Sequence, residues 1–198
     1  MSVAERIART IATDIGAQTE QVHATVALLD KGDTVPFVAR YRKEATGGLD
    51  DTQLRKLAER LDYLRDLEKR RASILGEIRS QGKLTEALAK AIEKAGTKSV
   101  LEDLYLPYKP KRRTKAMIAR ENGLDPLLRS ILGDRRADPA VLAQAYLSGS
   151  VETVKEALNG ARDILVEELS ENAGLLGRLR QVMQQDAVIT SRIIAGKE

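Results

Sequence analysis

The residues of this chain best suited to chemistry are the cations that follow residue 108. Between Lys109 and Arg120, six lysines and arginines occur without an acidic residue. Removing these six lowers the 33 Lys and Arg of the chain to 27, against 29 Asp and Glu, and changes the formal charge from +4 to −2. The positive charge is therefore local. A local cationic cluster beside tyrosines is typical of surfaces that contact the phosphates of RNA or DNA.

Two groups of cations make up the predicted nucleic-acid-binding site. The first lies in and just after a proline-stiffened loop at a predicted helix start, where side chains and backbone N–H groups can both face a phosphate. The second follows Pro36 and extends the first group if the two segments are neighbours. Tyr105 and Tyr108 are expected to shape the loop or to stack. The eight candidate residues are Lys109, Lys111, Arg112, Arg113, Lys115, Arg40, Arg42 and Lys43.

The same cations have a second interpretation, in which they serve structure and not binding. They would then pair with acidic side chains as struts between helices, or dock an acidic surface of another domain. The carboxylates available nearby in sequence are Glu44, Glu102, Asp103 and Glu121.

Catalytic and metal-binding patterns are poor in this sequence. There is no cysteine, which fits a reducing, cytoplasmic setting and removes thiolate chemistry. His23 is the single histidine and has no evident acidic partner, so it is expected to be solvated or packed. Neither of the common glycine-rich phosphate motifs occurs. The sequence therefore predicts no enzyme, no metal site and no cofactor.

The elements that position these cations are predicted to be helices alone. Aromatic residues make up 3% of the chain and tryptophan is absent, which favours helix packing over a sheet. We expect an all-α fold of about nine to ten helices, with a weak subdivision near residues 133–138. No apolar run approaches the roughly 20 residues of a membrane span.

Individual helix boundaries follow from capping and proline patterns. Asp50 with Gln53 forms a capping box for a helix that continues to Gln81, which makes it about 46 Å long at 1.5 Å per residue. Gly76 makes a kink possible in that helix. Thr114 and Asp138 are each expected to cap a helix.

The segment between the helices carries two further expectations. Ser99 with Glu102 predicts another capping box. Pro107 and Pro110 predict an extended conformation for the intervening Tyr108 and Lys109, because a residue before proline avoids the helical region.

Four segments together resemble the N-terminal region of the bacterial Tex family of transcription accessory proteins. They are residues 35–50, 101–114, 119–124 and 157–164. The resemblance covers essentially all 198 residues.

This resemblance implies a helical region with a helix-turn-helix-like portion, related to the core of a eukaryotic transcription elongation factor. Proteins of the family continue into an RNase-H-like domain without a convincing catalytic set, helix-hairpin-helix elements and an OB-fold credited with RNA binding. None of these is expected within the 198 residues.

The partners implied are RNA or DNA bound without sequence specificity, the remaining domains of a longer chain and the transcription machinery, with no membrane. The function predicted is non-catalytic backbone binding and scaffolding. The alternative is a purely structural or protein-interaction module.

Overall fold

The computed structural model describes residues 2–196, and its regular structure is helical throughout this range. An isolated bridge between Ser148 and Val151 is the sole extended pairing in the described residues. The all-α prediction is confirmed, with eleven α-helices in the described range, slightly more than expected, and one short 3₁₀ turn, Leu106–Tyr108. The helices are α1 (Val3–Ile15), α2 (Thr19–Asp30), α3 (Val35–Tyr41), α4 (Asp51–Ser80), α5 (Glu86–Lys94), α6 (Lys98–Tyr105), α7 (Lys115–Glu121), α8 (Asp125–Gly133), α9 (Pro139–Gln144), α10 (Val154–Ser170) and α11 (Ala173–Asp186).

The chain forms two compact units, the first ending at Lys98 and the second beginning at Ser99. The subdivision expected near residues 133–138 falls between α8 and α9, inside the second unit. None of the helices in residues 2–196 has the length and apolar character needed to cross a bilayer.

In the first unit, α4 is the central element, and α1, α2, α3 and α5 all contact it. Its apolar residues recur every three to four positions and are buried, because this spacing places them on one side of the helix. They include Leu54, Leu57, Leu61, Leu64 and Leu67.

The predicted start of α4 is confirmed. The Asp50 carboxylate accepts a 2.7 Å hydrogen bond from the Gln53 N–H, and the Gln53 side chain accepts one of 3.1 Å from the Asp50 N–H. The helix runs for 30 residues, about 45 Å, and continues through Gly76.

A buried arginine joins α4 to the end of α5. Arg71 is 6% exposed, and its guanidinium donates to the carbonyls of Ile92 at 2.9 Å, Ala95 at 2.8 Å and Glu93. These carbonyls lie at a helix C-terminus, where no intrahelical donor remains for them. Glu68, 3.4 Å away, supplies the opposite charge. Arg71 therefore acts as a side-chain cap for α5.

In the second unit, α10 is the central element and contacts α7, α8 and α9. Small residues on α7 and α10 allow these helices to approach closely, since a Cβ added at Gly160 of α10 would lie 3.3 Å from Cβ of the buried Ala119 on α7. A Cβ added at Gly160 would lie 2.3 Å from Cδ1 of Leu124, so a larger residue there does not fit without displacement. The predicted caps of α7 and α9 are confirmed, since Thr114 accepts from the Met117 N–H and Asp138 from the Ala140 N–H.

Of the two local expectations for the segment from residue 99 to residue 110, the cap at Ser99 is wrong, and the extended conformation is confirmed for Lys109 but not for Tyr108. α6 begins at Lys98, one residue before Ser99, so Ser99 is not its cap. Tyr108 belongs to the 3₁₀ turn, whereas Lys109 is extended, with φ −64° and ψ 130°. The restriction before proline acts on Lys109, which precedes Pro110, and does not reach Tyr108.

Candidate nucleic-acid interface

The segment from Lys109 to Lys115, here called the basic loop, follows the 3₁₀ turn and ends with the first residue of α7. Its start is fixed because the Lys109 N–H donates to the Tyr105 carbonyl over 3.1 Å. Its end is fixed by Thr114, whose hydroxyl caps α7 and also donates to Oε2 of Glu167 on α10 over 2.9 Å. The loop is therefore attached to helices at both ends.

One cation of the basic loop is turned toward α10. The Lys111 ammonium pairs with Glu171 and lies 3.8 Å from Oε2 of Glu167. Its side chain is only 22% exposed, and those of the two glutamates are 13% and 18% exposed. Lys111 therefore mainly stabilises the packing of the loop against the end of α10.

Glu167 is the centre of this network. Its Oε1 also accepts from Nη1 of Arg120 over 2.5 Å. Burial raises the pKa of Glu167, but hydrogen bonds from Arg120 and Thr114 and the charge of Lys111 outweigh burial, so the pKa lies below its ordinary value. The neighbouring Glu168 pairs with Arg129. The end of α10 thus presents carboxylates that neutralise cations from α7, α8 and the basic loop.

A second loop cation is paired at the surface. Arg113 contacts Glu121, and their side chains are 66% and 56% exposed. An exposed pair of this kind is worth about 0–1 kcal/mol, so it is readily exchanged for another anion. Glu121 was one of the four carboxylates expected as strut partners; another, Asp103, binds Arg180 over 2.7 Å.

The side chains of the other three candidates in the loop are exposed to solvent. Lys109, Arg112 and Lys115 are exposed, and no carboxylate of residues 2–196 lies within ion-pair distance of them. They are the cations of the basic loop that remain available to an external anion.

The remaining three candidates lie in the first unit, on the segment from Phe37 to Lys43, here called the aromatic turn. Arg40, Arg42 and Lys43 are exposed, and in the described residues none of them has an ion-pair partner. The Arg40 guanidinium lies 5.9 Å from the centre of the Tyr41 ring, and that of Arg42 lies 5.5 Å from the Phe37 ring. The guanidinium groups of Arg40 and Arg42 therefore lie close to aromatic rings, and no carboxylate of the described residues pairs with them.

The backbone after α3 is closely held. Gly47 and Gly48 adopt positive φ values of 64° and 85°, and their N–H groups bond to the carbonyls of Glu44 and Lys43. The Gly47 carbonyl accepts from the Gln21 side chain of α2 over 2.8 Å. The left-handed conformation of Gly47 favours glycine, and a Cβ there would come within 2.9 Å of the Gln21 side chain, which would have to move.

The eight candidates thus fall into two separately built groups, five in the basic loop and three in the aromatic turn. Tyr105 is 3% exposed, so its ring serves the core while its carbonyl fixes the start of the loop. Two aromatic residues that the sequence interpretation left out, Phe37 and Tyr41, are 38% and 62% exposed. The signal that points to them is the spacing of four between two aromatic residues on a short helix interleaved with arginines.

His23 does have an acidic partner, contrary to expectation. Its Nε2 lies 3.2 Å from Oε2 of Glu5, which also pairs with Arg9. The hydrogen bond from Arg9, followed by that from His23, lowers the pKa of Glu5. His23 on α2 and Glu5 on α1 are 18 residues apart in sequence, so their pairing depends on how the two helices pack and could not be predicted from local sequence. Within residues 2–196, no three His, Cys, Asp or Glu residues converge as metal ligands would.

Two sequence profiles match this helical architecture. Residues 5–79 match the Tex-like protein N-terminal domain, and residues 134–198 match the Tex central region. The chain is therefore a helical region of the kind found in transcription accessory proteins.

Individual relatives give the same result. The Transcriptional accessory protein Tex of Neisseria gonorrhoeae is 54% identical over 192 residues, which are 97% of this chain and 25% of that protein. Protein tex of Bordetella pertussis is 56% identical over 195 residues, 98% of this chain and 25% of that protein. The S1 RNA-binding domain-containing protein 1 of Pongo abelii is 31% identical over 175 residues, 86% of this chain and 17% of that protein.

The chain belongs to the Tex family, and the resemblance seen in the sequence is confirmed. It spans only about a quarter of the length of the bacterial relatives that it matches.

Proposed function

We propose that this chain contributes a sequence-nonspecific binding surface for RNA or DNA backbones to a Tex-like transcription accessory protein, and that it scaffolds the rest of that protein. The observation that carries the proposal is the exposure of Lys109, Arg112 and Lys115 without ion-pair partners in residues 2–196. Cations left unpaired beside one another attract phosphate and release its counterions. The name of the Pongo abelii relative, an S1 RNA-binding domain-containing protein, agrees with an RNA-associated role.

Different members of the basic loop have different roles in this proposal. Lys111 holds the loop against Glu171 and Glu167, and Arg113 exchanges Glu121 for a phosphate. Arg40, Arg42 and Lys43 form a second cationic group in the first unit. The seven candidates other than Lys111 act on phosphates, and none of the eight reads a base edge. The proposal contains no catalytic step.

A salt titration of oligonucleotide affinity tests this role. Each phosphate contact contributes about −0.7 for single strands, or about −0.9 for duplex DNA, to the slope of log K against log salt. A variant with Lys109, Arg112 and Lys115 replaced by Ala should therefore lose roughly 2 units of slope with single strands and roughly 2.7 with duplex DNA. A matched control removes three other exposed cations of the second unit, Arg135, Arg136 and Lys155. Equal slopes for the two triple variants would reject the proposal.

The second candidate function is a structural or protein-interaction module whose basic loop docks an acidic surface of the longer protein or of the transcription machinery. It is favoured by the glutamates of α10, because Glu167, Glu168 and Glu171 already engage Lys111, Arg120 and Arg129. In this case the chain would bind nucleic acid negligibly at about 150 mM salt. The triple variant would instead weaken binding to the remaining three quarters of the longer protein, measured with the two fragments mixed.

A further inference from the structure

We infer that the aromatic turn is a platform for unpaired bases, so that the chain prefers single-stranded to double-stranded nucleic acid. This inference rests on the proposed function, because the flanking phosphates are held by the same cations. It adds the class of ligand, a strand whose bases are free to stack, and it gives Tyr41 and Phe37 a role.

The first argument is the exposure of two adjacent rings. Phe37 and Tyr41 are four residues apart on α3, and their ring centres lie 5.2 Å apart with the planes tilted by 48°. Tyr41 is 62% exposed, although Val38 of the same short helix is fully buried in the core. Aromatic rings bury large areas favourably, so an exposed pair marks a surface that gains by being covered.

The second argument is the position of the cations. Arg40 and Arg42 each approach one of the two rings, and Lys43 follows directly. No carboxylate of residues 2–196 pairs with these three side chains, so their charge is available to phosphates on either side of a stacked base. A cationic surface that carries aromatic rings is the arrangement that binds single strands without sequence preference.

The third argument is the rigidity of the backbone behind the turn. Thr46 is fully buried, and its hydroxyl donates to the Lys43 carbonyl over 3.0 Å. Gln21 holds Gly47 from α2. The rings are therefore presented by a backbone that is already ordered, which lowers the entropic cost of binding.

A duplex cannot use this surface in the same way. Its bases are stacked on one another and offer only their edges in the grooves. Stacking on a protein ring needs a base that is out of the helix, as in single strands, loops and ends. The cations alone still bind duplex phosphates, so the two ligands should differ by the stacking contribution.

A single-tryptophan variant reports stacking directly. The chain has no tryptophan, so Tyr41→Trp places the only one at the exposed position. Single-stranded RNA and DNA oligonucleotides of the same sequence should both quench its fluorescence. A duplex of equal length and an abasic strand of equal charge should bind through phosphates without quenching.

Affinity measurements give the complementary test. Tyr41→Leu should weaken single-strand binding roughly tenfold, since it removes the aromatic ring on which a base would stack. Tyr41→Phe keeps the ring and should retain affinity. Neither variant should change the affinity for the abasic strand, and circular dichroism of each variant checks that the helices remain folded.

Failure of this inference and failure of the proposed function are distinguishable. If the abasic strand binds with a steep salt dependence but the intact single strand binds no tighter and does not quench, the stacking role is overturned and phosphate binding stands. If the abasic strand and the duplex both fail to bind at low salt, the proposed function itself is wrong. Quenching by RNA alone would restrict the ligand to RNA, and quenching by DNA alone to DNA.

Discussion

The basic loop and the aromatic turn contain the same kinds of side chain but leave them in different environments. In the basic loop, Lys111 is drawn to the glutamates of α10 and Arg113 to Glu121. In the aromatic turn, Arg40 and Arg42 lie against rings, and no carboxylate of the described chain pairs with them. The number of cations in a segment therefore does not give the charge available for binding. That charge is set by neighbours that are often distant in sequence.

The largest expected effect comes from disturbing the aromatic turn without touching a cation. Gly47→Ala forces a side chain into a left-handed conformation and against Gln21. We expect the free energy of unfolding to fall by roughly 2 kcal/mol, as measured by urea denaturation. Single-strand affinity should fall as well, because the turn is no longer held in place.

Gly76→Ala is the matched control for this change. Gly76 lies inside α4 with open space around its Cβ position, so alanine should stabilise the helix by about 0.5–1 kcal/mol. Opposite signs for the two variants are expected. A neutral or stabilising effect of Gly47→Ala would show that the turn does not depend on glycine at position 47.

A second prediction separates neighbouring cations of the basic loop. Lys111→Ala should lower the free energy of unfolding by about 1 kcal/mol and leave the salt slope of binding unchanged, since Lys111 is paired. Arg112→Ala should leave stability unchanged and reduce the slope by about 0.7–0.9. The reverse pattern would mean that Lys111 is the phosphate ligand and that Arg112 is the structural residue.

A third prediction concerns a variant that frees cations near the basic loop from a carboxylate, as the cations of the aromatic turn already are. Glu167→Gln removes the carboxylate shared by Lys111 and Arg120, so both become more available. Oligonucleotide affinity at low salt should rise about two- to threefold, with a slope steeper by up to about one unit.

Glu152→Gln removes the same charge from an exposed position of the second unit, without releasing a paired cation. It should change affinity less than Glu167→Gln. Equal gains would indicate that net charge alone controls binding.

The smallest effect concerns pH. Because the folded-state pKa of Glu167 lies below its ordinary value of 4.5, ionised Glu167 stabilises the second unit fully above pH 4.5. This contribution is lost as the pH falls through the folded-state pKa. The stability difference between the wild-type chain and Glu167→Gln should therefore shrink on acidification below pH 4.5. A difference that is constant down to pH 3 would contradict the assigned ionisation.

Features set by local sequence were predictable. The capping box at Asp50, the caps at Thr114 and Asp138 and the long α4 all depend on residues within one or two turns of each other. The start of α6 could not be predicted in this way. The N–H of Lys98, its first residue, donates to the hydroxyl of Tyr63, which lies on α4.

Local sequence also could not predict which candidate cations are paired and which rings are exposed, because these depend on contacts between residues distant in sequence. Lys111 is separated from Glu171 by 60 residues, so only the packing of α10 decides that this lysine is paired. The exposure of Tyr41 likewise depends on α3 turning Val38, and not its aromatic pair, toward the core. Sequence placed the charges, whereas tertiary contacts determined which of them remain available.

Arg71 has a consequence for how the first unit opens. α5 has nine residues, of which only Ile92 is buried, and isolated helices shorter than about 12 residues are marginal in water. The guanidinium that holds the carbonyls of Ile92 and Ala95 joins this weak helix to α4, the central helix of the unit. The amide protons of α5 should therefore exchange with solvent in the same cooperative opening as those of α4, and not as a frayed end of the unit.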